Sequence, residues 1–306
     1  MANAMKHGVF RRNNTAAPAG SAVMPLFSLA GKTAIVAGAG QGIGFAAAEA
    51  FAEAGANVAL WYNRNSEAVA KAAKMEADYG VKSFGQGILI PTWCGTGKAY
   101  KVDVTSYDEV ERGVGSAVQD LNGRLDVFVA NSGISWGDEA FLDASVARYH
   151  GLMSINTDGV AYCAHVAGQH FRRQKLEGTT AHGTKLEDFA NGSFIATASM
   201  SGHIVNIPRQ QAVYNTSKAA IIHLCKSLAI EWLGFARVNS VSPGFFNTGI
   251  SGPIAEEVMS AIMDKVPMGR FGETVELKAV YLFLASNASS YVTGTDILVD
   301  GGYTAT

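Results

Sequence analysis

The sequence predicts an α/β protein: a single doubly wound parallel sheet with helices on both faces. Three observations carry this reading. Short β-branched or apolar runs alternate with helix-length amphipathic segments along most of the 306 residues, the runs are apolar throughout rather than at every second position, and a glycine cluster separates the first run from the first long helix. Strands that are apolar on both faces belong to a covered sheet, and right-handed crossovers place a helix between successive parallel strands.

Residues 1–27 carry Lys6, Arg11 and Arg12, several alanines and no acidic side chain. The segment reads as a disordered arm, with an organelle transit peptide as the alternative. Residues 28–306 then form one domain. The first strand, Thr33 to Val36, meets Gly38, Gly40, Gly42 and Gly44, and an alanine-rich helix follows to Ala54. A second strand spans Asn57 to Tyr62, and Ser66 caps a helix that lasts to about Tyr79. Further strands are expected at Ala99 to Val104, Leu125 to Ala130, Ser193 to Ala198, Ala236 to Val241 and Asp296 to Val299. Two stretches break the rhythm, near 85–97 and 175–191. Both read as inserted loops, either lids over a substrate or tolerated surface excursions.

Composition narrows the function classes. Only 16% of residues are charged, so part of the surface is expected to be hidden between subunits, and a net charge of −2 offers no field for nucleic acid. No run approaches the roughly 20 apolar residues that cross a bilayer. Cys94, Cys163 and Cys225 are widely spaced, without a C-x-x-C pair, which suits a reducing, cytoplasmic location. His165 and His170 would diverge by about 140° on a helix, so no metal site is expected.

The chemistry sits in two places. Gly38-Ala-Gly-Gln41-Gly42-Ile43-Gly44 lies between a strand and a helix, where glycines allow a tight turn and close approach of a pyrophosphate to the positive helix end. The second strand ends Tyr62-Asn63-Arg64 without an acid, and a guanidinium there suits a ribose 2′-phosphate; NADP(H) is therefore expected over NAD(H), an ordinary exposed arginine being the plainer alternative. Further along, Tyr214 and Lys218 are spaced i and i+4, on one helix face, and Ser199 ends an apolar strand. A nearby ammonium would bring the phenol, ordinarily near ~10, closer to working pH, and the serine hydroxyl could meet a developing oxyanion.

From about Leu26 onward the chain resembles the short-chain dehydrogenase/reductase family. Its TGxxxGxG pattern is met at Ala37, Gly38, Gly42 and Gly44, with alanine for threonine, and its NNAG element at Ala130, Asn131, Ser132 and Gly133, altered at two places. The resemblance implies that Asn156 joins Ser199, Tyr214 and Lys218 in a catalytic tetrad, holding a water of the proton relay. It implies that Asp103, with Val104, meets the adenine, and that Pro243, Gly244 and Thr248 border the nicotinamide. Each taken alone could be a cap, a turn or a buried amide. The segments 199–208, 226–232 and 286–290 are similar to fungal sorbose reductases, NADP-dependent mannitol 2-dehydrogenases and yeast carbonyl reductases, which implies reduction of a ketose of the sorbose, fructose or xylulose type to a polyol. Trp136, His203, Ile207 and Gln210 flank the chemical residues and are the expected substrate contacts. Two other readings stay open: a tailoring reductase acting on a larger ketone or imine, and a nicotinamide-sensing scaffold without turnover. The helix from about Ala212 to Leu233 is apolar around much of its circumference, and the family's habit implies a homotetramer built on it.

Overall fold

The computed structural model describes residues 5–6, 9–10, 15–18, 20, 22–79, 96–137, 139–248 and 256–305. Within the N-terminal arm, β1 (Met5–Lys6) and β2 (Val9–Phe10) pair as a short antiparallel hairpin, and Met24–Phe27 form a 3-10 turn. The remaining strands form a seven-stranded sheet in the order β5-β4-β3-β6-β7-β8-β9, every pair parallel. They are β3 (Thr33–Ala37), β4 (Asn57–Tyr62), β5 (Gly97–Lys101), β6 (Val127–Ala130), β7 (Gly192–Thr197), β8 (Ala236–Pro243) and β9 (Asp296–Val299). The expected class, a single doubly wound Rossmann-like sheet, is the one observed. β5 begins two residues earlier than expected because Gly97 pairs with Val58, where its missing side chain leaves room for the Ala72 carbonyl.

Helices cover both faces. On one side α3 (Tyr107–Asp120), α5 (Gly159–Glu177) and α6 (Ala212–Glu231) pack on Trp61, Phe128 and Phe194; on the other α1 (Gly42–Glu53), α2 (Glu67–Tyr79) and α8 (Val275–Ala285) pack on Val36, Leu60 and Ile195. Alternate residues of the central strands feed the two cores, which is why their middles, residues 34–37, 58–61, 127–130 and 194–196, are apolar on both faces. α4 (Val146–Met153) passes through a π-helical turn, Ser154–Asp158, into α5, while α7 (Glu256–Met263) lies between β8 and α8.

The two inserted stretches fare differently. Most of 85–97 lies outside the described residues. The 175–191 connection is a fastened loop at the amino ends of the strands. Gly178 closes α5 with φ +66°, Ala181 N–H donates to the Gly123 carbonyl, and Arg124 Nη1 donates to Glu187 O at 3.0 Å. Ligands of such sheets bind at the opposite, carboxyl ends, so a lid role for 175–191 is excluded by its position. Among the described residues no helix is long and apolar enough to cross a membrane, and no cluster of three or more metal-binding side chains exists. Cys163 and Cys225 are buried and unbridged.

Candidate active site

β4 and β6 leave β3 on opposite sides, so the loops after β3 and β6 part at this point and open a crevice. A cavity of about 430 Å³ occupies it, walled by the glycine turn, by Asn131 to Ser135, by Thr197 to Ser201, and by Tyr214, Lys218 and Pro243 to Thr248.

The glycine turn is built for close approach. Gly38 and Gly42 have φ of +71° and +57°, and a Cβ at Gly44 would stand 2.4 Å from Gly38 O and 2.6 Å from Asn131 Nδ2. Asn131 in turn donates to Gly38 O at 3.2 Å, fastening the β3 loop to the β6 loop. Thr248 leans on Gly42, so the segment after β8 reaches the same turn. The open start of α1 leaves first-turn amides without intrahelical partners, a fit for a pyrophosphate. Gln41 and Ile43 border the cavity with these glycines, as do Ser132, Gly133, Pro243 and Gly244.

Tyr62, Asn63 and Arg64 lie beyond the described cavity, at the carboxyl end of β4. Asp103 joins them from the neighbouring chain segment. Thr105 donates to its carboxylate through both N–H and Oγ1, at 2.9 and 2.8 Å, and these bonds, with Asn63 and the Arg64 charge, hold it below the usual carboxylate range. Val104 packs in the core and offers only backbone to a ligand. Sequence reasoning missed two supports of this end. Asn65 Nδ2 donates to Gln41 Oε1 at 2.9 Å, and Lys71 Nζ donates to Gly40 O at 2.7 Å. Their signal was position alone, one just after Arg64 and the other one and a half turns into α2.

The catalytic candidates meet in the cavity. Ser199, at the end of β7, caps a 3-10 turn (Met200–Gly202) and accepts the Ser201 N–H at 3.1 Å, which leaves its own hydroxyl proton to give. Tyr214 stands on the first turn of α6, and Lys218, one turn on, is 4% exposed. Burial pushes the Tyr214 phenol up, while its hydrogen bond with Ser199 and the Arg209 charge pull it down. The Lys218 ammonium, expected to tune this phenol, makes its hydrogen bond elsewhere. That ammonium is turned to Thr197 O at 2.9 Å, 5.7 Å from the Tyr214 ring centre, and its own pKa is lowered to about 8 by burial. Asn156 is fully buried in the π-helical turn. Its Nδ2 donates to Ile134 O and Ser217 Oγ, and its Oδ1 accepts Ile134 N–H at 2.9 Å. The side chain is therefore spent on clamping the β6 loop, and Gly133 lies between it and Lys218, where a Cβ would stand 3.3 Å from Asn156 Oδ1 and 3.5 Å from Lys218 Nζ.

The four expected substrate contacts are not among the cavity's walls. Trp136 is buried with Leu152 and Val213, donates to Glu139 O, and lies under the Arg148 guanidinium at 4.8 Å. His203 pairs with Asp296 at 2.8 Å, Ile207 is 61% exposed and offers its carbonyl to Tyr303, and Gln210 faces outward. Instead Asn206, Arg209 and Gln211 turn inward. Asn206 has φ +58°, and that reversal of the chain shifts the inward positions by one, which spacing alone does not reveal. Phe245, Phe246 and Phe271 form the apolar side, Phe245 and Phe271 stacked at 5.5 Å.

Comparison with known proteins agrees with this geometry. Residues 38–304 match a family model described as enoyl-(acyl carrier protein) reductase. The chain is 57% identical to an L-xylulose reductase of Hypocrea jecorina over 98% of its own length and 99% of that protein. It is 44% identical to a sorbose reductase of Candida albicans, over 93% of this chain and 91% of the other. Among solved structures it resembles the NADPH-dependent 3-quinuclidinone reductase of Rhodotorula rubra, with TM-score 0.84 and 38% identity over 97% of this chain and all of that one.

Proposed function

The chain belongs to the short-chain dehydrogenase/reductase family, and from that premise we propose that it reduces a ketose of the xylulose, sorbose or fructose type to the corresponding polyol with NADP(H) as cofactor. The observation that carries the proposal is the convergence of Ser199, Tyr214 and Lys218 on one cavity, beside a glycine turn that no larger residue could form. An oxidoreductase with these groups in place has no need of the sensing-scaffold reading.

When bound, NADPH supplies the hydride that reaches the carbonyl carbon. The chain's residues handle the oxygen. Ser199 donates its hydroxyl proton as negative charge grows there, while one of its two lone pairs is held by Ser201 N–H, which fixes the oxygen in place. Tyr214 delivers the proton, and the burial that raises its pKa keeps it protonated and ready to give at neutral pH. Lys218 stands close enough for its charge to favour the phenolate left behind. Asn156 acts through Ile134, holding the β6 loop in place. Gly38, Gly42 and Gly44 would hold the pyrophosphate, and Asn63 with Arg64 the 2′-phosphate, the Arg64 charge being near enough to lower the Asp103 pKa.

A homotetramer and a cytoplasmic location belong to the same proposal. The first is supported by a second cavity of about 520 Å³ between α5 and α6, with Gly168, Leu224, Leu228 and Trp232 on its walls, and the second by the two buried, unbridged thiols. The test is NADPH oxidation with L-xylulose, sorbose and fructose beside aromatic ketones and cyclic imines. Turnover of a ketose with NADPH and weak turnover with NADH is expected; a preference for the bulky ketones or imines would overturn the substrate class.

A further inference from the structure

Ser201 lies two residues beyond the catalytic serine, 3% exposed, on the wall of the same cavity. Its hydroxyl oxygen accepts two amide hydrogen bonds, from Asn206 Nδ2 at 3.0 Å and from Gln211 Nε2 at 3.0 Å. Both amides are held from behind. The Asn206 Oδ1 accepts the Tyr303 hydroxyl at 3.1 Å, and Gln211 Nε2 is shared with Asn215 Oδ1 at 2.9 Å. Tyr303 is itself buried, so the C-terminal turn braces this wall from within the same chain. Asn206 keeps a left-handed backbone, φ +58°, to present its amide here.

A serine hydroxyl has two lone pairs and one proton. With both lone pairs filled, the Ser201 hydroxyl can only donate, and no described residue accepts its proton. We infer that Ser201 is a specificity-determining residue: it gives its proton to the oxygen of a hydroxyl group adjacent to the reacting carbonyl, so the site selects α-hydroxy ketones. This rests on the ketose reading above. Ser199 and Ser201 both stand on the wall of this cavity, and the Ser201 N–H ties their segments together, so two hydroxyls are available to neighbouring oxygens of one bound ketose. A ketone without the second oxygen leaves a buried donor unpaired, which is how a polar site rejects a substrate that lacks its partner.

The test compares kcat/KM for L-xylulose with that for trifluoroacetophenone, an activated ketone that carries no hydroxyl, in the wild type, Ser201→Ala and Asn206→Asp. Loss of one hydrogen bond corresponds to about a tenfold fall in the ketose-to-ketone ratio in Ser201→Ala. Asn206→Asp keeps the serine but offers its proton a carboxylate, so the ratio is expected to fall there also. An unchanged ratio, with both substrates slowed alike, would overturn the inference and assign Ser201 to support of Ser199 alone. A wild type that reduces the ketone but no ketose would instead overturn the ketose reading, and this inference with it.

Discussion

At the residue scale, the chemistry depends on two groups whose protonation is set by burial. Tyr214→Phe deletes the proton donor and almost no volume. Turnover is expected to fall by roughly 10²–10⁴-fold, the range for a positioned general acid, while NADPH affinity by fluorescence titration stays within about twofold. Lys218 makes a pH prediction with a definite sign. Burial lowers its pKa to about 8 in the folded chain, against the ordinary lysine value of about 10.5, so over that window the unfolded chain binds a proton that the folded one lacks. Stability from this group therefore rises with pH between those values and is at its lowest below them. Lys218→Met removes the dependence. Its stability relative to wild type, from denaturant unfolding, should decline by on the order of 3 kcal/mol between neutral pH and the upper end of the window.

At the element scale, loops at the two ends of the sheet have opposite tasks. The carboxyl-end loops carry the site, and the amino-end loops are nailed down. Asp126, 6% exposed, accepts Thr33 N–H at 2.9 Å and a bidentate pair from Arg124, while Arg124 and Lys32 hold the backbone of the 175–191 connection at Glu187 and Asp188. One buried carboxylate thus joins the β3 start, the β6 start and a long connection. Asp126→Asn leaves the guanidinium buried without its counter-charge, a change that costs about 3–5 kcal/mol. Chemical denaturation should register it as a lower midpoint with an unchanged slope. The sequence marked this connection as an excursion because its length fits no crossover, but its anchors are backbone carbonyls, which have no sequence signature.

At the scale of the whole molecule, the free surface of α5 and α6 is the unfinished part. Ile230 is 43% exposed beside Leu224 and Leu228, and Gly168 opens the groove because a Cβ there would stand 2.5 Å from Trp232. Leu224→Arg puts a charge into that groove, distant in sequence from Tyr214. Sedimentation should find the wild type as an oligomer and the variant shifted toward monomer. A monomeric wild type would remove the tetramer from the proposal. The terminal segment turns inward at Tyr303, onto Met200 and Asn206.

What the amino-acid order determined by itself was whatever is local or periodic: the strand and helix alternation, the glycine turn, the i, i+4 pair of Tyr214 and Lys218, and the serine closing β7. These are legible because the backbone requirement and the residue type coincide at one place in the chain. Only the tertiary structure decided which side chains line the cavity and what surrounds the phenol. Trp136 and His203 were drawn off to Arg148 and Asp296, partners 12 and 93 residues away. Arg209 and Ser201 instead came to line the cavity, beside one left-handed residue and the amides that bond the Ser201 hydroxyl. Orientation in a loop depends on contacts distant in sequence, and such contacts exist only once the sheet has assembled.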